Sequence, residues 1–407
     1  MSAWQKCHAL FFVVPKQVRQ KVLNCCKIGT MRTAHLADLH LGKTVNGFSM
    51  IDEQKHILDE ILDIFKQEQI EAVMIAGDVF DRPIPSVEAI RLFNDFLNAL
   101  VRERCEVFII AGNHDSGDRL SFGAELFENM HIHIAGNYEG VIPSYAMKDP
   151  YGTIVFHLLP FIRPINVNRY IDEQDDKAAD YTQAVQKALA NDTVDPSVRN
   201  VILSHQFVTG VEVDENGSEE LIVGGLDQVS GSVYDAYDYV CLGHIHRPQH
   251  VMRDTMVYSG TPLKYSFSEA SQTKHVVIVD FREKGNMIIT AVPLHPLHEM
   301  REVQGTYDEV IHLPKSEDYM HVTLTDENDV PDAIRDLRQI FPNIMKLDYN
   351  NRRTQNASHI EVQQETITRS PLEIFSTFFT ERTHSELQDE QTKLLEELIP
   401  QVWEGRQ

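Results

Sequence analysis

The chain has 407 residues, more than one compact unit usually holds, so two or three domains are expected. Apolar residues make up 42%, yet no apolar run nears the roughly 18–20 residues of a membrane span, which excludes a membrane-spanning role. The net charge of −24, from 37 basic against 61 acidic residues, argues against tight nucleic-acid binding through bulk charge, because that affinity rests on Lys and Arg neutralising phosphates.

Residues 1–30 read differently from the rest. They carry Cys7, Cys25 and Cys26, a short apolar run from Ala9 to Val14 and several basic residues, with no carboxylate. Val14-Pro15-Lys16 supplies no small-residue cleavage site, so the segment reads as a dispensable N-terminal extension rather than a secretory signal. Cys105 and Cys241 lie in apolar strand-like runs and form no CxxC pair, which points to a reducing cytoplasm.

From Met31 onward a short apolar, β-branched-rich run ends, five times, in side chains able to bind a metal. RTAHLADLH ends at Asp38 and His40, and EAVMIAGDVFD at Asp78 and Asp81. VFIIAGNHD ends at Asn113, His114 and Asp115, NVILSHQF carries His205, and DYVCLGHIH ends at His244 and His246. Helical patterns separate the first three. Ile57, Leu58, Ile61, Leu62 and Phe65 share one face, as do Ile90, Phe93, Phe96, Leu97 and Leu100. The order βαβαβ implies parallel strands, whose carboxyl ends gather ligands at one spot. Gly77, Gly112 and Gly243 precede ligand residues and are expected to let the chain turn sharply off each strand.

Oxygen and imidazole donors without a thiolate suit a borderline divalent metal such as manganese better than structural zinc. Some seven donors are too many for one ion. Two ions sharing a carboxylate, about 3.5–4 Å apart, fit better and suit phosphoester hydrolysis.

In order and spacing, DLH, GDVFD, GNHD, SHQ and GHIH resemble the motifs of the calcineurin-like metallophosphoesterases. VGGLDQVSGSVYDAYDYVCLGHIHRPQ and YSGTPLKYSFSE are further similar to the SbcD family of bacterial nuclease subunits, relatives of the Mre-type repair nucleases. The likeness runs from Met31 to the C-terminus. It implies an α/β architecture: a metallophosphoesterase β-sandwich flanked by helices over 31–295, a small α/β capping domain over 296–365 that leans over the site, and a C-terminal helical pair over 366–407 that binds the SbcC partner.

The resemblance also implies roles. Asp38, His40, Asp78 and His246 would hold one ion, and Asp78, Asn113, His205 and His244 the other, with Asp78 as the bridge. His114 would protonate the leaving oxygen or stabilise the transition state, oriented by Asp115; such an acid contributes ~10²–10⁴ in rate. Water would be the nucleophile, so no Ser or Cys nucleophile is required. Some Mre-type relatives have a second histidine where this chain has Asp81, which is read as a substrate-side or supporting residue. Arg119 and Arg247 follow the third and fifth motifs and could meet substrate phosphates, although ordinary surface salt bridging is at least as good a reading. His131 and His133, without an accompanying carboxylate in the motif, and His157 are read as structural. The loop Thr209 to Gly231 reads as a solvated excursion.

After residue 295 the strand-like YMHVTLT, a helix opening at Pro331-Asp332 and the strand-like NIMKLDY form a second α/β unit. Ser370 to Glu373 and Thr383 to Glu386 read as capping boxes of two short helices. No GxxxxGK[ST] pattern occurs, so no ATP site is expected in this chain. The resemblance implies two Mn²⁺, with Mg²⁺ as the substitute, and as partners DNA and SbcC, an ABC-type ATPase with a long coiled coil. It further implies a homodimer within a heterotetramer, a cytoplasmic location, and a 3′-to-5′ exonuclease and single-strand or hairpin endonuclease serving recombination, replication and repair. Two other readings stay open. One is a small-molecule phosphodiesterase or phosphatase of the same fold, the other a non-catalytic scaffold for SbcC.

Overall fold

The computed structural model describes residues 21–23, 30–172, 176–212, 227–351, 376 and 391–394. Most of 366–407, where the helical pair is expected, and most of the loop 209–231 lie outside these residues.

Alternation along the strands sets the architecture. Met74 and Ala76 on one strand, Phe108 and Ile110 on the next, point into the same buried cluster as Phe156, Leu158, Val201, Leu203, Tyr239 and Cys241 of a second sheet. Two sheets therefore share one core. The first runs in the order Met287–Pro293, His275–Phe281, Met31–Leu36, Ala72–Ala76, Glu106–Ile110, Ile132–Ala135. Its last four strands are parallel and its first two antiparallel additions. The second runs Lys21–Leu23, Ser144–Asp149, Gly152–Leu159, Arg199–His205, Tyr239–Gly243, Arg253–Tyr258, Gln249–Val251. Within it the strands Gly152–Leu159, Arg199–His205, Tyr239–Gly243 and Arg253–Tyr258 are mutually parallel. Lys21–Leu23, within the expected extension, pairs in parallel with Tyr145 to Met147 at the sheet edge.

The helices Ile51–Glu68 and Val87–Arg102 form as their apolar spacing predicts. Ser86 caps the second by accepting the Ala89 N–H at 3.2 Å. Its buried stripe is Ala89, Phe93, Phe96 and Leu100, whereas Ile90, expected on that face, is 48% exposed. The helix is rotated so that small Ala89 rather than Ile90 faces inward. No helix among the described residues is long and apolar enough to cross a membrane.

The chain divides at Met300 into two units. Residues 296–299, just past the expected boundary, belong to the first, where His295, Leu297 and His298 are tied to the helix Ile51–Glu68. Glu60 accepts the His295 N–H at 2.9 Å, Glu53 accepts that of Leu297 at 3.0 Å, and His298 pairs with Glu53. The second unit has a three-stranded sheet, Met300–Gly305, Tyr319–Leu324 and Ile344–Tyr349, with helices Tyr307–Ile311 and Ala333–Leu337. Its own core holds Val310, Met320, Val322, Leu324, Leu337, Phe341 and Ile344.

Candidate metal centre

All five ligand-bearing segments leave strand carboxyl ends at one rim, three from the first sheet and two from the second. The convergence of ligands at strand carboxyl ends therefore takes both layers of the expected sandwich. Hydrogen bonds between the segments hold them in register. Asp38 N donates to the Gly77 carbonyl and His40 N to that of Asp78, each at 3.0 Å. His244 N donates to the Asp38 carboxylate at 2.9 Å, and His114 N to the Asp78 carboxylate at 2.9 Å.

The turns are strained where they carry ligands. Asp38, His40, Asp78 and His244 have φ of 53°, 44°, 49° and 102°. Non-glycine residues in such regions cost about 1–3 kcal/mol each and persist only where surrounding structure enforces them. Glycine beside them is required by space. A Cβ on Gly77, itself at φ +89°, would strike the His205 ring, and one on Gly112 would strike the Asp78 carboxylate.

Seven expected ligands come together. Asp38, His40 and His246 form one group whose donor atoms lie within 4.8 Å of one another, and Asp38, Asp78 and His205 another. His205 Nε2 lies 3.0 Å from Asn113 Oδ1 and 3.3 Å from Asp78 Oδ2, and His244 Nδ1 lies 3.0 Å from the same Asn113 oxygen. The ring nitrogens of His40 and His246 face each other at 3.0 Å. Burial holds both pKa values well below the ordinary histidine range, and burial followed by the charge of His205 brings His244 down to about 3. These three rings are neutral, with lone pairs to offer. Burial opposes charge on His205 too, but Asp78 overrides it and pushes the ring up to about 9. Burial likewise works against the Asp78 charge, and His205 outweighs it, keeping that carboxyl below the usual carboxylate range. A buried carboxylate pair amid facing imidazole lone pairs is a donor set that fits divalent cations. His205 Nδ1 is committed to the Ala76 carbonyl at 2.7 Å, which turns Nε2 toward the other donors.

Two expectations change. Asp115 does not orient His114. Its carboxylate accepts the backbone N–H groups of Val79, Phe80 and Gly112 at 3.1, 2.9 and 3.0 Å, so it locks the second motif against the third. Burial and then the Asp78 charge push its carboxyl up to about 6 against those three donors. His114 is held instead by its Nδ1, 3.1 Å from the Asp81 carbonyl, which leaves Nε2 on the side of Asp78 at 4.0 Å. His131 and His133 also have a carboxylate after all, Glu106 of the neighbouring strand, at 2.7 and 2.9 Å.

Asp81 gains a place as a support. Its carboxylate binds Lys43 Nζ at 2.7 Å and lies 3.6 Å from His40 Nδ1. Arg119 donates to the Pro83 carbonyl at 2.8 Å and Arg247 pairs with Glu212 at 3.3 Å, both within the protein. Among the supporting residues Gln54 and Lys274 carried no sequence signal, whereas Tyr265 and Glu269 lie within the YSGTPLKYSFSE stretch. Gln54 donates to the His40 carbonyl at 2.7 Å, Tyr265 to the Leu39 carbonyl at 2.7 Å, and Lys274 to the His246 carbonyl at 2.9 Å while paired with Glu269.

Such a centre, at the rim of a two-sheet sandwich flanked by helices, defines a metal-dependent phosphoesterase. The family model described as calcineurin-like phosphoesterase matches residues 31–248, and the chain belongs to that family. A second model, described as type 5 capsule protein repressor C-terminal domain, matches residues 296–383. Among individual proteins the chain is 30% identical over 375 residues to the SbcD component of the SbcCD nuclease of Staphylococcus epidermidis, covering 90% of this chain and 98% of that one. Solved structures that it resembles include a dimetal phosphatase from Danio rerio, 12% identical with a TM-score of 0.38, covering 66% of this chain and 99% of that one. GAP50 of Plasmodium, the anchor in the inner membrane complex, is 11% identical with a TM-score of 0.36, covering 80% and 98%.

Proposed function

We propose that the chain is the nuclease subunit of an SbcC-dependent complex, a phosphodiesterase that cleaves DNA using two Mn²⁺, with Mg²⁺ as the substitute. The observation that carries this reading is the meeting of seven donors around the shared Asp78 carboxylate, with His114 beside them. Asp38, His40, Asp78 and His246 would hold one cation, and Asp78, Asn113, His205 and His244 the other. What the cations supply when bound is Lewis acidity toward the phosphoryl oxygens. The chain does the rest. His114, fixed through Nδ1, turns Nε2 toward the departing oxygen and donates its proton there. Asp115 holds the loops that carry Asp78 and Asn113, and Asp81 steadies both His40 and His114.

The relationship to the SbcD component of an SbcCD nuclease over nearly its whole length, and the matched C-terminal region, favour DNA over a small substrate. The same relationship supports SbcC as partner, a dimer of this chain within a heterotetramer, a cytoplasmic location, 3′-to-5′ exonuclease and hairpin endonuclease activities, and service in recombination, replication and repair. The test is cleavage of end-labelled hairpin and duplex DNA with Mn²⁺, with and without SbcC and ATP, beside a chromogenic phosphodiester. Nicked hairpins that increase with SbcC and ATP are expected. Hydrolysis of the chromogenic diester with all DNA left intact would instead make this a small-substrate enzyme, and no hydrolysis of either would make it a scaffold.

A further inference from the structure

The segment Pro160 to Arg163 follows the strand Gly152–Leu159 and is pinned between two ligand loops. Phe161 N donates to the Ala111 carbonyl at 2.8 Å, two residues before Asn113, and the Ile162 carbonyl accepts from buried Gln206, the neighbour of His205, at 3.1 Å. The Phe161 ring lies nearly parallel to that of His244, at 22° and 6.4 Å between centroids, and edge-on to His205 at 6.2 Å. Over Phe161 sits the guanidinium of Arg163, 5.6 Å from the ring centroid. Its backbone N–H is fixed by Asn166 Oδ1 at 2.8 Å.

Arg163 is exposed, and among the described residues no carboxylate pairs with it. The other arginines bordering the site are engaged: Arg82 lies 3.6 Å from Asp81, Arg119 caps the Pro83 carbonyl, and Arg247 meets Glu212. An aromatic ring that stacks a guanidinium restrains its fork at low entropic cost while leaving its N–H groups outward, the arrangement suited to bidentate phosphate recognition.

We infer that Phe161 and Arg163 form a phosphate-binding subsite beside the Asn113, His205 and His244 side of the centre. It takes a non-reacting phosphodiester of the same strand, flanking the one that is cleaved. This rests on the phosphodiesterase reading with a polynucleotide substrate and adds the residue that grips the strand. A small diester has no second phosphate to offer, so the subsite contributes to oligonucleotides alone.

The test uses the full chain. Binding of a labelled single-stranded oligonucleotide is followed by anisotropy over a salt series with divalent cations chelated, and hydrolysis of bis(4-nitrophenyl) phosphate is measured with Mn²⁺. Arg163→Gln is expected to weaken oligonucleotide binding about 5- to 20-fold and to flatten the slope of log Kd against log salt by about 0.7, the value for one phosphate contact to a single strand. Arg163→Lys should keep the slope while losing part of the affinity, because charge remains and the stacked fork does not. Hydrolysis of the small diester should stay within about twofold in both variants. Unchanged binding and slope in Arg163→Gln overturn the subsite, as does an equal loss on the small diester, which would mark Arg163 as a support of the metal ligands. A wild type that hydrolyses the small diester yet neither binds nor cuts oligonucleotides overturns the nuclease reading and the subsite together.

Discussion

Asp78 is the residue on which most of the centre turns. One carboxylate oxygen accepts the His114 N–H at 2.9 Å, and the other lies 3.3 Å from His205 and 3.7 Å from His40. Asn has nearly the same shape and tolerates the left-handed φ of 49°, so Asp78→Asn isolates the charge. Cleavage should be abolished and Mn²⁺ affinity should fall at both steps of a calorimetric titration. Wild-type protein that saturates with a single Mn²⁺ would defeat the two-cation reading. His114 separates chemistry from ligation. Its replacement by Leu should lower cleavage by about 10²–10⁴ while Mn²⁺ binding stays nearly intact. Because its ring can also join His40 and Asp78 in a ligating group, a parallel drop in Mn²⁺ affinity would show that it binds the cation. Residue types at strand ends made all of these positions legible in the sequence. The partner of His114 was not, since it is the main-chain carbonyl of Asp81, and a backbone oxygen leaves no mark in composition or spacing.

The turns leaving the strands are the elements that store strain and hold like-charged groups together. Four ligand residues at positive φ, and a buried Asp38 and Asp78 sharing the space of four histidines, are tolerable because bonds from elsewhere clamp the backbone. Gln54 on the helix Ile51–Glu68 and Tyr265 fix the first turn through the carbonyls of His40 and Leu39, and Tyr265 also takes a bond from Gln54 at 2.9 Å. Cations bound by the folded site alone add stability by mass action, about 2.7 kcal/mol for each site at 100 times its Kd. Thermal unfolding should therefore rise with Mn²⁺ and fall on chelation, and the shift should shrink in Asp78→Asn. A melting temperature indifferent to Mn²⁺ would mean that the turns are stable without it and hold no metal. The strands and helices that carry these turns followed from apolar periodicity, apart from the rotation that exposes Ile90. Gln54 was invisible because a polar residue on an amphipathic helix normally faces solvent, and only the tertiary fold brings this one under the first turn. Glu106 escaped notice for a related reason, as its partners His131 and His133 lie at the edge strand beside it rather than near it in sequence.

At the scale of the whole molecule, five ordered motifs announced a single site, and their family resemblance rather than the strand patterns announced the two-sheet sandwich, because each strand's pattern is blind to which sheet it joins. The second matched region begins at 296, as expected, while the compact units divide at Met300 because Glu53 and Glu60, on a helix more than two hundred residues earlier, hold His295, Leu297 and His298, and Lys264 holds Glu299 at 2.6 Å. Every expected metal ligand, together with His114 and the supporting residues Gln54, Tyr265, Lys274 and Glu269, lies before that point, within a unit that has its own core. A chain ending at Met300 should accordingly fold and hydrolyse bis(4-nitrophenyl) phosphate with Mn²⁺ at a rate within about threefold of the full chain, since it keeps the groups on which acid catalysis and ligation depend. Its action on duplex ends and hairpins should be lost if the second unit, which carries no expected ligand, serves to select the polymer as the proposed function implies. A chain ending instead at Pro293 loses the contacts of 295–299 with Glu53, Glu60 and Lys264 and should melt at a lower temperature than the chain ending at Met300. If the Met300 chain cuts DNA as well as the full protein does, the second unit has no part in substrate choice. If it fails on the small diester while still folded, the centre needs residues beyond Met300.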